Sequence, residues 1–324
     1  MRVPLLARLA PAFLTAALAA PAAAEAPRVV TSILPLQSLT ANVMRGVGSP
    51  DLLVKGAATP HSFQLRPSDA VNLQNADLVI WVGEGLESFL EAPLASLAGD
   101  ARVLELAEIK GISLLPIREE LMWHLEEHGL NHGDEHEEGH SDDTDHGHDH
   151  GAYDPHIWLD AGNAIATVEA TAGALAEIDP ANAETYRANA AETVERLAAL
   201  NADLLQRIEP LIGRPYVVFH DAYQYFEASY GLTPIGAIAL SPELSPGAQH
   251  LAELRDRLAE EGVVCVCSEP QFELKLLHVV TEGTAARGAP LDPLGADLEP
   301  GPEAYFTLME RMAASLESCL GQSG

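Results

Sequence analysis

The chain has 324 residues and a formal net charge of −30, with 48 acidic residues against 18 lysines and arginines. Nucleic-acid binding needs a basic surface, so this charge excludes it, whereas an acidic surface attracts cations. About 300 residues beyond a leader suffice for one large domain or for two lobes, each with its own hydrophobic core.

The N-terminal segment has the features of a secretory signal peptide. Two arginines give it a positive start, residues 9–20 are largely apolar, and residues 22–24 form an A-x-A cleavage motif. We therefore expect residues 1–24 to be removed by cleavage near Ala24. No cysteine follows directly to carry a lipid anchor, and no other apolar run approaches the ~18 residues of a membrane span. The sequence predicts export to a bacterial periplasm without an anchor.

The next stretch alternates short apolar runs with helical patterns. Its predicted strands read RVVTSILP, DLLVKGAA, ADLVIWVG and ARVLELAE, and stretches such as PLQSLTANVMRG and GLESFLEAPLASL between them are helical. Strands that alternate with helices of about ten residues indicate βαβ units and a parallel sheet. We predict an N-terminal αβ lobe over residues 25–160.

A histidine-rich acidic tract interrupts this lobe at residues 124–150. It contains ten carboxylates and no lysine or arginine, and its eight histidines are His124, His128, His132, His136, His140, His146, His148 and His150. Imidazoles crowded among carboxylates are typical ligands of divalent metals, although acidic low-complexity segments can also be merely solvated. Several glycines argue against a persistent helix. We predict a mobile loop that binds zinc more weakly than a built site.

Two helices are predicted to link this lobe to the rest of the chain over residues 161–212. The second runs from about residue 181 to 211 and would be about 45 Å long at 1.5 Å per residue. It carries one apolar stripe at intervals of three and four, formed by Leu197, Leu200, Leu204, Ile208 and Leu211. A helix of this length can connect two lobes rigidly.

The alternation of strands and helices then resumes over residues 213–324. RPYVVFHDAY, LTPIGAIAL, GVVCVCSEP and GAPLDPLG contain the predicted strands, and a last helix is expected from about residue 302 to 319. The sequence therefore predicts an α/β protein of two αβ lobes with parallel-type sheets, joined by a long rigid helix. No internal sequence repeat relates the two lobes.

The three cysteines suggest one disulfide and one free thiol, since the chain is exported. Cys265 and Cys267 are two residues apart in an apolar strand and so point to the same face. One of the two is expected to pair with Cys319, which would stabilise the fold by about 4 kcal/mol on a loop-entropy model. A C-x-C metal or redox site is the alternative interpretation.

Three of the five histidines outside the tract share a setting that suits ligand binding. His61 lies in a turn after a predicted strand, His156 follows the tract, and His220 ends the strand YVVFH. Ligands of open α/β sheets collect at the carboxyl ends of strands. Three imidazoles from separate segments would supply three corners of a tetrahedral zinc site, although each could instead be a hydrogen-bonded structural histidine. His250 and His278 fall in helical patterns and are interpreted as structural or surface residues.

Six motifs occur in the order TPHSFQLRPSD, DPHIWLD, VVFHDAYQYFE, PELSPGAQ, EPQF and PLDPLGAD, and they extend over essentially the whole mature chain. In this order and spacing they resemble the solute-binding proteins of bacterial zinc ABC transporters (ZnuA-like). The resemblance implies two lobes bridged by a stiff helix, with metal bound in the cleft between them. It implies His61, His156 and His220 as the metal ligands, and a disulfide between Cys265 and Cys319.

The resemblance leaves the fourth ligand position open. Some zinc-binding relatives have a glutamate directly before the first histidine, where this chain has Pro60. Asp292 in PLDPLG matches a ligand position of related metal-binding proteins, and water is the alternative. Because a carboxylate lowers the net charge of a buried zinc–histidine centre, Asp292 is the favoured fourth ligand. Manganese-binding relatives usually have a carboxylate at the position of His220, so this histidine favours zinc.

The resulting hypothesis is a high-affinity periplasmic receptor, not an enzyme, that delivers Zn²⁺ to an inner-membrane ABC permease for zinc uptake. The expected protein is a monomer, and a periplasmic metallochaperone is a candidate loading partner. A manganese or other divalent-metal receptor of the same fold is one alternative. A periplasmic zinc buffer or chaperone that acts mainly through the tract is another.

A zinc hydrolase is a further alternative, since three histidines and an open position also describe catalytic zinc. Such an enzyme needs a general base beside the metal-bound water. Asp221 is the neighbour in sequence, and it is instead expected to orient His220 or to cap the helix that follows.

Overall fold

The computed structural model describes residues 25–118, 122, 153–239, 246–272 and 275–321. The predicted signal peptide at residues 1–24 and the eight tract histidines at 124–150 lie outside the described residues. Within the described ranges, no helix combines the length and the apolar character that a membrane span needs.

The strands form two four-stranded parallel sheets. The first contains β1 (Val29–Thr31), β2 (Asp51–Leu52), β3 (Leu78–Trp81) and β4 (Arg102–Glu105) in the order β2-β1-β3-β4. The second contains β5 (Tyr216–His220), β6 (Gly236–Ala239), β7 (Cys265–Ser268) and β8 (Arg287–Pro290) in the order β6-β5-β7-β8. The two sheets share one topology without a detectable sequence repeat, and they confirm the predicted α/β fold with two parallel-sheet lobes.

Helices flank both sheets. The first half carries α1 (Leu34–Val43), α2 (Pro67–Gln74), α3 (Glu84–Glu87) and α4 (Glu91–Leu97), and it is followed by the long helices α5 (Ala161–Ile178) and α6 (Ala183–Ile208). The second half carries α7 (Gln224–Tyr230), α8 (Ala248–Glu260), α9 (Lys275–Thr281) and α10 (Ala304–Leu320). Helix α6 is about 39 Å long at 1.5 Å per residue. It packs against α1, α5, α7 and α10, so it contacts elements from both halves of the chain.

Alternation along the strands decides which side chains face the core that both halves share. In β5, Tyr216 and Val218 point into this shared core, whereas Val217 and Phe219 point to the opposite face, which α8 and α9 cover. Successive residues of a strand point to opposite faces, so His220 continues the inward series. The strand thus delivers the His220 side chain to the side on which the two halves meet.

The same alternation places Cys265 and Cys267 on the inner face of β7. Cys265 forms a disulfide with Cys319 of α10, with a Cα–Cα distance of 5.7 Å, as the family resemblance implies. Cys267 is a buried free cysteine, and burial raises the pKa of its thiol. Cys265 is oxidised in the disulfide, and the raised pKa keeps the Cys267 thiol protonated. The strand therefore does not offer a C-x-C metal or redox site.

The carboxyl ends of β1 and β3 hold a fully buried carboxylate, that of Glu87. It accepts a 2.5 Å hydrogen bond from the Ser32 hydroxyl, and it accepts further bonds from the backbone amides of Val82 and Gly83 at 3.1 Å. Burial raises the pKa of Glu87 to about 7, because removal from water disfavours the charged form.

This raised pKa makes the stability of the fold depend on pH through Glu87. The unfolded chain releases the proton near pH 4.5, while the folded protein holds it until about pH 7. The stabilising contribution is therefore complete below pH 4.5 and is lost as the pH rises through about 7. Glutamine has no proton to lose, so the free energy of unfolding of Glu87→Gln should not fall in this way. As the pH rises from 4.5 to 8, we expect it to increase relative to that of wild type by up to about 3 kcal/mol, measured by urea unfolding. A difference that stays constant with pH, like that of the exposed control Glu91→Gln, would contradict this.

Candidate metal centre

Three histidines from separate parts of the chain converge at the junction of the two halves. His61 lies in the 3₁₀ turn Pro60–Ser62 after β2, His156 directly precedes the 3₁₀ turn Ile157–Leu159, and His220 ends β5. The His156 Nε2 atom lies 3.3 Å from that of His61 and 3.4 Å from that of His220. In the described part of the chain, these three residues are the one group of His, Cys, Asp or Glu side chains whose ligand atoms lie mutually within 4.8 Å.

The spacing of these nitrogens matches the needs of a tetrahedral metal ion. Zinc bonds to imidazole nitrogen at about 2.0 to 2.1 Å, and two such bonds at the tetrahedral angle place their nitrogens about 3.3 to 3.4 Å apart. The cavity that the rings line has a volume of about 10 Å³, roughly what one water-sized sphere occupies. Two of the three separations in the cluster therefore equal those between ligands of a tetrahedral zinc ion.

Carboxylates fix two of the three rings. The Nδ1 of His156 donates to Asp154 Oδ1 at 2.7 Å, and the same oxygen accepts from the backbone amide of His156 at 3.0 Å. Glu269 holds His220 in the same way, with distances of 2.7 Å to Nδ1 and 3.3 Å to the backbone amide. With Nδ1 as the donor, the Nε2 lone pair of each ring points into the cluster, which is the tautomer that a metal needs.

Sequence reasoning missed both of these carboxylates. Asp154 precedes His156 by two residues in the motif DPH, and Glu269 opens the motif EPQF directly after β7. Strand β7 lies beside β5, so their carboxyl ends meet at the point where the strand order of the sheet reverses. An acidic residue after the neighbouring strand was the available signal, but the strand order had to be known first.

His61 is held less firmly than the other two. Its backbone amide donates to Thr59 Oγ1 at 3.3 Å, and its ring contacts the rings of His156 and His220. Burial, together with the neighbouring His156 and His220, lowers the pKa of His61 well below its usual value. At His220 burial also lowers the pKa, but Glu269, with smaller contributions from Asp221 and Asp154, outweighs it and raises the pKa overall. Since metals bind neutral imidazole, zinc meets less competition from protons at His61 than at His220.

Aromatic rings wall the cluster. The Trp158 ring lies 5.3 Å from that of His156, and the Phe272 ring lies 5.8 Å from that of His220, measured between centroids. The Trp158 indole donates to the carbonyl of Pro293 at 2.8 Å, which fixes the loop after β8 against the cluster. An apolar wall lowers the local dielectric and so strengthens the attraction between the histidines, their carboxylates and a cation.

Asp292 lies outside the histidine cluster. Its Oδ1 accepts from the backbone amide of Leu294 at 3.0 Å and from Gln271 Nε2 at 3.1 Å, and its Oδ2 accepts from the backbone amide of Ala296 at 2.6 Å. Asp292 therefore shapes the turn after β8, and the structure does not bring it together with the three histidines as the sequence predicted.

The structure also corrects the expectation for Asp221. Asp221 Oδ1 accepts from Arg118 Nη1 at 3.0 Å, helix α7 begins only at Gln224, and Glu269 is the residue that orients His220. Asp221 comes directly after the end of β5 and its carboxylate pairs with Arg118, so the closest carboxylate in sequence is not the partner of the His220 ring.

A family model described as zinc-uptake complex component A, periplasmic, matches residues 29–319. The chain is 43% identical to the high-affinity zinc uptake system protein ZnuA of Brucella suis biovar 1 (strain 1330), in an alignment that covers 97% of this chain and 98% of that protein. It is 44% identical to the protein of the same name from Paracoccus denitrificans (strain Pd 1222), with 97% of each chain covered.

Solved structures share the fold. A crystal structure of ZnuA superposes with a TM-score of 0.73 at 25% identity, over 91% of this chain and 99% of that one. A zinc-bound ZnuA with residues 138–173 deleted has the same TM-score and identity, over 92% and 100% of the two chains. The manganese complex of the solute-binding protein FpvC of Pseudomonas aeruginosa reaches a TM-score of 0.73 at 22% identity, which shows likeness of fold alone.

Proposed function

The chain belongs to the ZnuA family of periplasmic zinc-uptake components, and we propose that it is a high-affinity zinc receptor that delivers Zn²⁺ to an inner-membrane ABC permease. One observation carries the proposal: the Nε2 atom of His156 lies 3.3 Å from that of His61 and 3.4 Å from that of His220, as in a tetrahedral zinc site, and all three ligand atoms lie within 4.8 Å of one another. We assign these three side chains as the zinc ligands. The lobes of the receptor correspond to residues 25–160 and 213–324, with 161–212 between them.

The ligand set favours zinc over manganese. Imidazole suits zinc, copper and nickel, whereas manganese prefers carboxylate, carbonyl and water oxygens. Asp154 and Glu269 bond to histidine Nδ1 atoms, so these carboxylates act on the ion through the rings. A manganese receptor of the same fold is therefore the weaker alternative.

We propose that water takes the fourth ligand position, in place of the Asp292 that the sequence favoured. Three neutral histidines alone leave the charge of a buried Zn²⁺ uncompensated. Asp154 and Glu269 already supply two negative charges directly behind the rings, so the centre is neutral without a further carboxylate. Both oxygens of Asp292 are meanwhile engaged by its own turn.

Export and partners follow from the family and the leader. We propose that residues 1–24 direct the chain to the periplasm and are removed near Ala24, which leaves a monomeric receptor. The partners are the zinc ion and the ABC permease, and a periplasmic metallochaperone is a candidate for loading. Zinc hydrolysis is not proposed, because Asp221, the base that the sequence offered, is paired with Arg118.

The histidine-rich tract is proposed to collect zinc without forming the tight site. We expect deletion of residues 124–150 to leave the tight-site affinity within about threefold of wild type, because the three cleft ligands lie outside the tract, and to abolish further, weaker binding. The measurement is a competition titration of the metal-stripped mature protein with zinc.

A matched control keeps the length and charge of the tract and replaces its eight histidines with asparagine. It should lose the weak sites while it retains the tight one. If either variant lost the tight site, the tract would be the principal binding element and the zinc-buffer alternative would take precedence.

A further inference from the structure

Two short segments that flank the histidine-rich tract in the sequence pair with each other. We name residues 113–118 and 153–154 the neck. Pro116 and Tyr153 form an antiparallel bridge, and the backbone amide of Asp154 donates to the carbonyl of Leu115 at 2.8 Å. The neck contains Asp154, the residue that holds His156, so its position bears directly on the metal cluster.

The hydroxyl of Tyr225 in helix α7 forms hydrogen bonds with both segments of the neck. It accepts a hydrogen bond from the backbone amide of Leu115 at 2.9 Å and donates one to the carbonyl of Asp154 at 2.8 Å. Tyr225 and Asp154 are both buried. One uncharged group therefore fixes the neck at the residue whose side chain orients His156.

Arg118 fastens the neck a second time, at the end of its first segment. Its Nη1 bonds to Asp221 at 3.0 Å and its Nη2 bonds to Glu227 at 2.7 Å, and both carboxylates are almost completely buried. Asp221 follows the ligand His220, and Glu227 lies in α7 with Tyr225. The planar guanidinium fork allows one side chain to bridge two carboxylates in a defined geometry.

These contacts form a continuous path from α7 to a zinc ligand. Tyr225 and Arg118 hold the neck, which contains Asp154. Asp154 Oδ1 in turn accepts hydrogen bonds from both the backbone amide and Nδ1 of His156. We propose that the neck positions His156 for zinc binding, and that Tyr225 and Arg118 are positioning residues although neither belongs to the histidine cluster. The inference rests on the proposed function, in which His156 is a zinc ligand.

The first test is Tyr225→Phe, which removes one hydroxyl without a change in charge. We expect the dissociation constant for zinc to rise about tenfold, as when an outer partner of a metal-ligating histidine is lost. We also expect the visible absorption bands of the Co²⁺-loaded protein to shift, because they report the coordination geometry. The matched control is Tyr230→Phe in the same helix, whose buried tyrosine donates instead to Asn201 at 3.0 Å. Zinc affinity and cobalt bands of this control should match wild type.

The second test is Arg118→Lys, which keeps the positive charge but loses the fork. The positioning account predicts weaker zinc binding, by about fivefold or more, since lysine presents a single point of contact. If Arg118 acted only through its charge, the lysine variant would bind zinc like wild type, and the proposal would be overturned. The same conclusion follows if Tyr225→Phe folds and is indistinguishable from Tyr230→Phe. Should Tyr225→Phe fail to fold, Arg118→Lys alone decides.

Failure of the function itself gives a different result. If the wild-type protein bound zinc only weakly, or if His156→Ala bound it normally, His156 would not be a ligand and the neck would have nothing to position. A wild-type protein that binds zinc tightly through His156, with both neck variants unaffected, would instead leave the proposed function standing and remove only the role of the neck.

Discussion

Replacement of His220 with alanine is expected to weaken zinc binding by at least about a hundredfold. Zinc sites in small protein domains bind with about 10 to 16 kcal/mol shared among four ligands, so one imidazole accounts for roughly 3 kcal/mol. His220 is 4% exposed and its Nε2 lies 3.4 Å from that of His156, so alanine removes a buried nitrogen donor from the cluster, and a water molecule in its place is a weaker ligand than imidazole. The loss is measured by competition with a chelator of known affinity.

His278 supplies the matched control in the same half of the chain. It is exposed on helix α9 and lies outside the histidine cluster. His278→Ala should bind zinc as tightly as wild type, which separates the loss of a ligand from a general effect of histidine removal. Equal affinities for the two variants would mean that His220 is a structural histidine, the simpler interpretation that its sequence position allowed.

Removal of the disulfide by the double substitution Cys265→Ala and Cys319→Ala is expected to cost about 4 kcal/mol of stability. The bridge closes a loop across a sequence separation of 54 residues and ties strand β7 to helix α10, so its loss frees a large part of the unfolded chain. For a protein of this size the melting temperature should fall by on the order of 10 °C. Differential scanning calorimetry at a fixed scan rate gives this number.

Cys267→Ala is the control for this experiment. It removes a buried thiol two residues away on the same face of β7, and it leaves the disulfide intact. We expect this control to lose much less stability than the double variant, because it creates only a small cavity. Zinc affinity of the double variant at 25 °C should stay within about threefold of wild type, since none of the three histidines lies in β7 or α10. A fall in melting temperature no larger than that of the control would contradict a stabilising disulfide.

The strand pattern was enough to predict where His220 would lie. An apolar run that ends in histidine places this residue at the carboxyl end of a parallel strand, where ligands of α/β sheets collect. The long linking helix was likewise predictable from its apolar stripe, and the structure forms it as Ala183–Ile208 with a short 3₁₀ turn at either end. Local periodicity carries both of these features, so the sequence alone reveals them.

The residues that hold the ligands could not be predicted in the same way. Glu269 is 49 residues from His220 in the sequence. It comes close to His220 because β7, the strand before Glu269, is a direct neighbour of β5 in the sheet. Arg118 reaches Asp221 across 103 residues, from a segment with no regular structure. Such contacts depend on strand order and loop paths, which leave no periodic signal in the chain.

The surroundings of Asp292 could be predicted only in part. Asp292 lies two residues after the end of β8, so the strand pattern is enough to place it at the carboxyl end of that strand. The hydrogen bonds from Leu294 and Ala296 that hold Asp292 in its turn depend on the path of the backbone, and they are invisible in the sequence.

A crystal structure of the mature protein with one equivalent of zinc, with anomalous scattering measured at the zinc absorption edge, tests the central claim most directly. The account predicts a single strong peak bonded to the Nε2 atoms of His61, His156 and His220 at about 2.0 to 2.1 Å, with a water molecule as the fourth ligand. A bond from the metal to Asp292 would show that this carboxylate, and not water, is the fourth ligand. A peak held by histidines of the 124–150 tract, with no metal among the three cleft histidines, would contradict the account.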